Sequence, residues 1–313
     1  MKKQLILLFF SFVTILNAEG FKLSITANDV KEALSKQENP TWVASENAET
    51  IEMFKGKEEP VFGLLDELET SDRGLFPSCI WSSNLPKKID WRNFNSQNWI
   101  TPIRKQGNCG ACVAFATIAV MEAQYNITTN NPFLSLDLSE QQIFSCGGGS
   151  CSYGWYARTA LDYIKSYGAT DEACFPYISD NSGDQSCSNA CSDIDSRLYK
   201  ISSYSKVCNI LSIWWLGNVK KALLDGPVLA MMVVYEDFLY YKSGIYNYTL
   251  GKKIGNHAVA LIGYDDSEQA FIAKNSWDTS WGEQGFFRIS YHDKSGLGKN
   301  TYKIRGPINQ SLR

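Results

Sequence analysis

Apolar residues in this 313-residue chain fall into two kinds of window, helical ones first and strand-like ones later. Residues 113–125, VAFATIAVMEAQY, are apolar on nearly every face, the pattern of a helix buried in a core. EQQIFSC follows Ser139, and Gln142 lies three places on, so a helix opened by a capping box is expected. WYARTALDYIKSY carries an amphipathic helical period and stops at Gly168; a shorter helix over 218–225 ends at Gly226 and Pro227. Beyond it VLAMMVVY, AVALIGY, AFIAKNSW and FFRISY are short apolar runs separated by glycine and aspartate turns, which read as strands. The expected class is α+β, with a helical lobe over about 100–215 and a β-barrel-like lobe over about 216–313. A cleft between two such lobes is where a ligand is expected to bind.

The ends and the charge refine this picture. Lys2 and Lys3 precede an apolar run from Leu5 to Leu16, and Ala18 is a small cleavage residue, so residues 1–18 read as a signal peptide. That run is too short for a comfortable membrane span and no later one approaches the length, so no membrane attachment is expected once it is cleaved. Nine cysteines agree with an exporting, oxidising route, and with a product that is extracellular or in a lysosome or vacuole. Residues 19–83 hold 13 acidic against 6 basic residues, whereas residues 84–313 hold 20 against 22. The acidity thus lies in a segment that reads as a removable propeptide, and the near-neutral remainder gives no reason to expect nucleic acid as a partner. The triplets at Asn126, Asn247 and Asn309 match the acceptor pattern for N-linked glycans.

Cys112 opens the first apolar helix, with Gly110 two places before it. A sulfur at a helix N-terminus faces unpaired amides and the positive end of the dipole, which favour the thiolate and lower its pKa. Alone, such a cysteine reads equally well as a small buried hydrophobe or half of a disulfide. The histidines discriminate, because the chain has only two and a cysteine nucleophile needs one as its base. His257 begins AVALIGY, at a strand start that can face a cleft, while His292 sits among polar and turn residues and reads as solvated. Asn275, after the strand FIA, offers an amide carbonyl that can hold an imidazole in one tautomer, and Trp277 can shield the pair from water.

In this order QGNCGACVAF, NHAVALIGY and KNSWDTSWGEQGFFRI, with PKKIDWRNF, LSEQQIFSC and GGGSCSYGW between or before them, resemble the papain family of cysteine proteases from about Leu85 to about Ser290. The resemblance implies a papain-like two-lobed fold with the active site in the interlobe cleft, a mature domain over 84–313, and a cysteine endopeptidase made as an inactive zymogen. Its substrates would be proteins and peptides, its own propeptide would inhibit it, it would be a monomer, and it would use no cofactor and no metal. Carried over by position, Cys112 is the nucleophile, His257 the base and acid, Asn275 the orienter and Gln106 the side-chain donor of an oxyanion hole. Gly154 and Trp277 would contact substrate. Tyr153 stands where the family has glycine, so it either narrows a subsite or turns outward; Val113 replaces an aromatic residue. These two departures keep open a catalytically silent binding relative as the alternative.

The resemblance also implies the pairings Cys109–Cys151 and Cys146–Cys187, and similarity to the cathepsin B branch adds Cys174–Cys191. Cys79 would lie in the propeptide and Cys208 would be unpaired. The C-x-x-C of Cys109 and Cys112 has no second pair at zinc spacing and no thioredoxin-like surroundings. In cathepsin B an occluding loop bearing histidines caps the cleft. Here the corresponding residues 178–186 hold no histidine, so a cleft open at both ends is expected.

Overall fold

The computed structural model describes residues 22–54, 63–65, 84–207 and 215–309. The signal peptide, Cys79 and Cys208 lie outside them. Seven α-helices are described: α1 (Ala27–Ser35), α2 (Ala48–Glu52), α3 (Cys112–Thr128), α4 (Glu140–Gly147), α5 (Ala157–Ser166), α6 (Ser179–Ser182) and α7 (Trp215–Leu223). The strands are β1 (Trp42–Ala44), β2 (Lys88–Asp90), β3 (Tyr199–Lys206), β4 (Val228–Tyr235), β5 (Tyr241–Tyr246), β6 (Lys253–Asp265), β7 (Ala270–Lys274), β8 (Phe286–Ser290) and β9 (Asn300–Asn309). They form one sheet in the order β1-β5-β8-β7-β6-β4-β9-β3, with β2 also pairing with β6; β5 and β8 run parallel and the other neighbours antiparallel.

The α+β expectation holds, and the reason is burial. Every residue of α3 from Cys112 to Gln124 is buried, and the helix packs across β6 and β9, so a stripe is not enough and apolar character on all faces is needed. α5 turns Ala157, Ala160, Leu161 and Ile164 inward, the i, i+3, i+4, i+7 stripe of a half-buried helix. Gly168 closes it at φ +102, and a Cβ there would come within 2.7 Å of the Tyr199 carbonyl oxygen.

Four details differ from expectation. The sheet begins before residue 216, because β3 and β2 join it from segments with no apolar run. The capping box of α4 is half formed: the Ser139 hydroxyl accepts from the Gln142 amide at 2.9 Å, but the Gln142 side chain goes to the Tyr163 hydroxyl at 2.9 Å and the Thr170 amide at 3.3 Å. Asn126 is buried in α3, where its amide donates to the Trp99 carbonyl at 3.2 Å, so it cannot carry a glycan; Asn247 is exposed. Finally, the acidic segment is not merely a solvated helix. β1 extends the sheet edge beside β5, and Trp42 packs on Tyr241 and Tyr246 and donates to the Asn247 carbonyl at 3.0 Å.

Candidate active site

The loop before α3 is tied to its neighbours by several backbone hydrogen bonds, which hold the start of the helix in place. Gln106 N donates to Ser276 O at 2.9 Å, Tyr177 donates to Gln106 O at 2.7 Å, Asn108 N donates to Asp180 O at 3.0 Å and Gly110 N donates to Cys151 O at 3.0 Å. The Cys109–Cys151 disulfide ties the same loop to the strap before α5, with Cα atoms 4.2 Å apart. Cys146–Cys187 and Cys174–Cys191 are also formed, so all three pairings implied by resemblance are present, and Cys112 is the free cysteine among the described residues.

Cys112 meets the sheet at β6, where the Ala258 amide donates to its sulfur at 3.3 Å. The preceding residue is His257, fully buried, whose Nε2 lies 2.8 Å from Asn275 Oδ1. That oxygen also accepts from the Ser276 amide at 2.9 Å, which identifies it as the carbonyl of the side chain. Nε2 must therefore carry the ring proton and donate it, leaving Nδ1 as the basic nitrogen. The Trp277 ring lies over the imidazole with centroids 4.9 Å apart and is itself 1 % exposed, backed by Phe238 and Trp281.

Gln106 is held at both ends. Its Nε2 donates to the Cys109 carbonyl at 2.9 Å, and its Oε1 accepts from the Ser276 hydroxyl at 2.6 Å. Ser276 is the residue that sequence reading missed; its only signal there was adjacency to Asn275. The four residues expected to carry chemistry thus converge where α3 meets β6 and the end of β7.

The thiol is not in the state expected from its helix position. Burial pushes the Cys112 pKa up to about 12, outweighing the amides of Ala258 and Val113, which act in the opposite direction. A segment from before residue 84 lies against the nucleophile loop. Gly63 sits at φ +104 so close to the nucleophile loop that a Cβ would come within 2.3 Å of Gly110 O and 2.9 Å of Cys112 N. Its carbonyl accepts from Trp155 N at 2.7 Å and Leu65 N donates to Trp155 O at 3.1 Å. The backbone of Gly63 and Leu65 thus pairs with Trp155, while Gly154, at φ +89, packs against Gly63 through its bare Cα. Tyr153 is 77 % exposed and turns to solvent, the outward alternative.

Residues 178–186 lie tied to the helical lobe. The amides of Ile178 and Ser179 donate to Gln141 Oε1, the Ser179 hydroxyl donates to Gly183 O, and Asp184 accepts from Cys151 N and the Ser150 hydroxyl.

Comparisons with known proteins agree with this geometry. The family model described as "Papain family cysteine protease" matches residues 85–305. The "Cathepsin L-like proteinase" of Fasciola hepatica is 32% identical over 254 residues, covering 77% of this chain and 70% of the relative. The "Cathepsin B-like CP3" of Giardia intestinalis is 32% identical over 230 residues, covering 70% and 74%. Among solved structures, procathepsin B S9 from Trypanosoma congolense superposes with a TM-score of 0.69 over 91% of this chain and 99% of that one; at 23% identity this speaks for the fold. A buried cysteine at a helix start facing an asparagine-held histidine across two lobes, a prosegment laid over it, and a family match spanning most of the chain lead to one conclusion: the chain belongs to the papain family of cysteine proteases and is a cysteine-type peptidase.

Proposed function

We propose that this protein is a cysteine endopeptidase of the secretory pathway, acting outside the cell or in a lysosome-like compartment, made with a signal peptide over 1–18 and a latency-conferring propeptide over 19–83. Cys112 attacks the peptide carbonyl and His257 Nδ1 takes the thiol proton. The oxyanion that forms is met by Gln106 Nε2 and the Cys112 amide, and the imidazolium returns its proton to the leaving amine. Water then attacks the thioester with His257 again as base, and the acid product leaves with the thiol restored. Asn275 holds the imidazole in the tautomer this sequence requires. The observation that carries the reading is the chain Cys112 Sγ, Ala258 N, His257 and Asn275, with contacts of 3.3 and 2.8 Å, beside a glutamine anchored by Ser276.

The cleft is open at both ends, so cleavage is internal rather than by release of C-terminal dipeptides. The hydrogen bonds that tie residues 178–186 to the helical lobe support this, as does the absence of histidine from that stretch. The test is activation of the purified chain by mild acid, sequencing of the new N-terminus near 84–88, and assay of N-blocked peptides with free or amidated C-termini. Cys112→Ala and His257→Ala should abolish hydrolysis with the fold retained. Hydrolysis by Cys112→Ala at the wild-type rate defeats the mechanism, and dipeptide release that disappears on amidation defeats the open cleft.

A further inference from the structure

The backbone of Gln106 is held from two sides. Its N–H donates to the Ser276 carbonyl at 2.9 Å, just past the end of β7 in the sheet lobe. Its carbonyl accepts from the Tyr177 hydroxyl at 2.7 Å, from the segment between α5 and α6 in the helical lobe. The ring of Tyr177 also stands edge-on to Phe115, with centroids 4.8 Å apart and planes at 85°. Phe115 is 4 % exposed and lies three residues along α3 from Cys112. One side chain therefore touches the backbone of Gln106 and the first turn of α3, the two places from which the proposed oxyanion donors, Gln106 Nε2 and the Cys112 amide, project.

Tyr177 is itself firmly mounted. The Ser139 hydroxyl donates to the Phe175 carbonyl at 2.6 Å, the Tyr177 amide to the Glu172 carboxylate at 2.7 Å and the Ile178 amide to Gln141 Oε1 at 2.9 Å. The Cys174–Cys191 disulfide closes the same segment. Ser139 caps α4 and Gln141 belongs to it, so the place of the hydroxyl is referred to the helical lobe. Donors aimed at a developing charge are effective when their spacing is fixed before the charge appears. A ring that only filled space beside Phe115 would need no hydroxyl, yet this hydroxyl reaches the one residue whose side chain is a proposed donor.

We infer, resting on the mechanism proposed above, that Tyr177 is a positioning residue for the oxyanion hole: its hydroxyl fixes the Gln106 backbone, its ring fixes the start of α3, and together they set the separation of the two donors. Loss of the hydroxyl then weakens the grip on the charged oxygen and leaves substrate binding alone. One neutral hydrogen bond acting through another residue corresponds to about five-fold in kcat. That is well short of the roughly 10²–10³-fold that follows removal of a donor itself.

The test uses the full chain after acid activation, as wild type, Tyr177→Phe and Phe115→Leu. Three quantities are measured on each: kcat and KM for a peptide substrate, the inhibition constant of a peptide aldehyde, and the rate at which iodoacetamide alkylates Cys112. The aldehyde adds the thiol across its carbonyl, so that sulfur bonds to the carbon and the oxygen is left between the donors while His257 holds the proton. Alkylation forms a sulfur–carbon bond and expels iodide, with no oxyanion to stabilise. Tyr177→Phe should lower kcat about five-fold at unchanged KM and weaken the aldehyde by the same factor, with alkylation as in the wild type. Phe115→Leu keeps the hydroxyl and should give the same pattern through α3. An unchanged kcat and aldehyde constant in Tyr177→Phe overturn the inference, as does a fall in alkylation that matches the fall in kcat, which marks general damage to the site. A wild-type chain that cuts no peptide overturns the peptidase reading, and this inference with it.

Discussion

Replacing Gly63 by alanine should uncover the sulfur of Cys112 in the intact precursor. The glycine sits at φ +104, where a residue with a Cβ is strained by about 1–3 kcal/mol. The new methyl would stand 2.3 Å from Gly110 O, a backbone atom fixed by the Gly110 N to Cys151 O bond and the adjacent disulfide, so the prosegment must be the part that moves. Moving it loosens the two backbone bonds with Trp155, at 2.7 and 3.1 Å, each contributing about 0.5–1.5 kcal/mol. A net cost of about 3 kcal/mol is a fair central figure, or about 100-fold in the fraction of chains whose sulfur is open. α1, β1 and α2 keep their own contacts, so the prosegment stays docked elsewhere. The assay is alkylation of the full chain with dilute iodoacetamide at neutral pH, read at Cys112 by mass mapping. Under those conditions the rate follows the open population. Gly183→Ala is the control, since Gly183 also has positive φ (+70) but its Cβ would meet nothing within 4 Å. Alkylation of Gly63→Ala within about three-fold of wild type, or an equal rise in Gly183→Ala, refutes the idea that close approach of Gly63 keeps the thiol covered.

Ser276→Ala should lower kcat by about ten-fold with KM little changed, less than the 10²–10³ for outright loss of an oxyanion donor, because Gln106 keeps its bond to the Cys109 carbonyl. Steady-state kinetics of the activated enzyme check it, and an undiminished kcat refutes the positioning role. Asp237 titrates at about 6, because burial outweighs the donors from Tyr246, Thr249 and Leu250. The folded state therefore holds this proton more tightly than the unfolded one, so stability falls as pH rises from about 4 to about 6 and stays lower above, by up to about 3 kcal/mol. Asp237→Asn should flatten that part of the stability curve in denaturant melts, and an unchanged slope would count against it.

What was legible in the sequence depended on how much burial an element carries. β4 spans the run VLAMMVVY residue for residue, since nearly all of it is buried. β3, YKISSYSK, is largely half-exposed and has no apolar run; only pairing with β9 makes it a strand, and β9 contains glycine and proline. Such strands are decided by tertiary partners and leave no local trace. The candidate catalytic groups were legible because three separated motifs each hold one reactive side chain, and α3, β6 and β7 bring them together. Ser276 was missed because a hydroxyl is an ordinary group until its hydrogen bond is seen. The helix position that favours the thiolate is written in the sequence, whereas the burial that pushes the Cys112 thiol up is not.

That burial bears on how the proposed latency would work. The prosegment does not displace His257 from Asn275 or Gln106 from Ser276; both contacts stand at normal lengths with the cleft covered. The proposed catalytic array is therefore preassembled, and on this reading what the proposed propeptide changes is solvation. Gly63 lies close to the Cys112 amide, one of the two proposed oxyanion donors, and burial pushes the thiol pKa up. Withdrawal would remove both obstacles in one step: water and substrate reach the sulfur, desolvation ceases to oppose the thiolate, and the helix N-terminus and neighbouring amides lower its pKa as their position dictates. Nothing in the mature lobes has to refold for this to happen. On this argument the pH at which the Cys112 thiol ionises, followed by thiolate absorbance in Gly63→Ala and wild-type precursors, should fall in the variant while the far-ultraviolet spectrum stays the same. A fall accompanied by loss of helix signal would instead mean that latency is stored in an inactive conformation of the body.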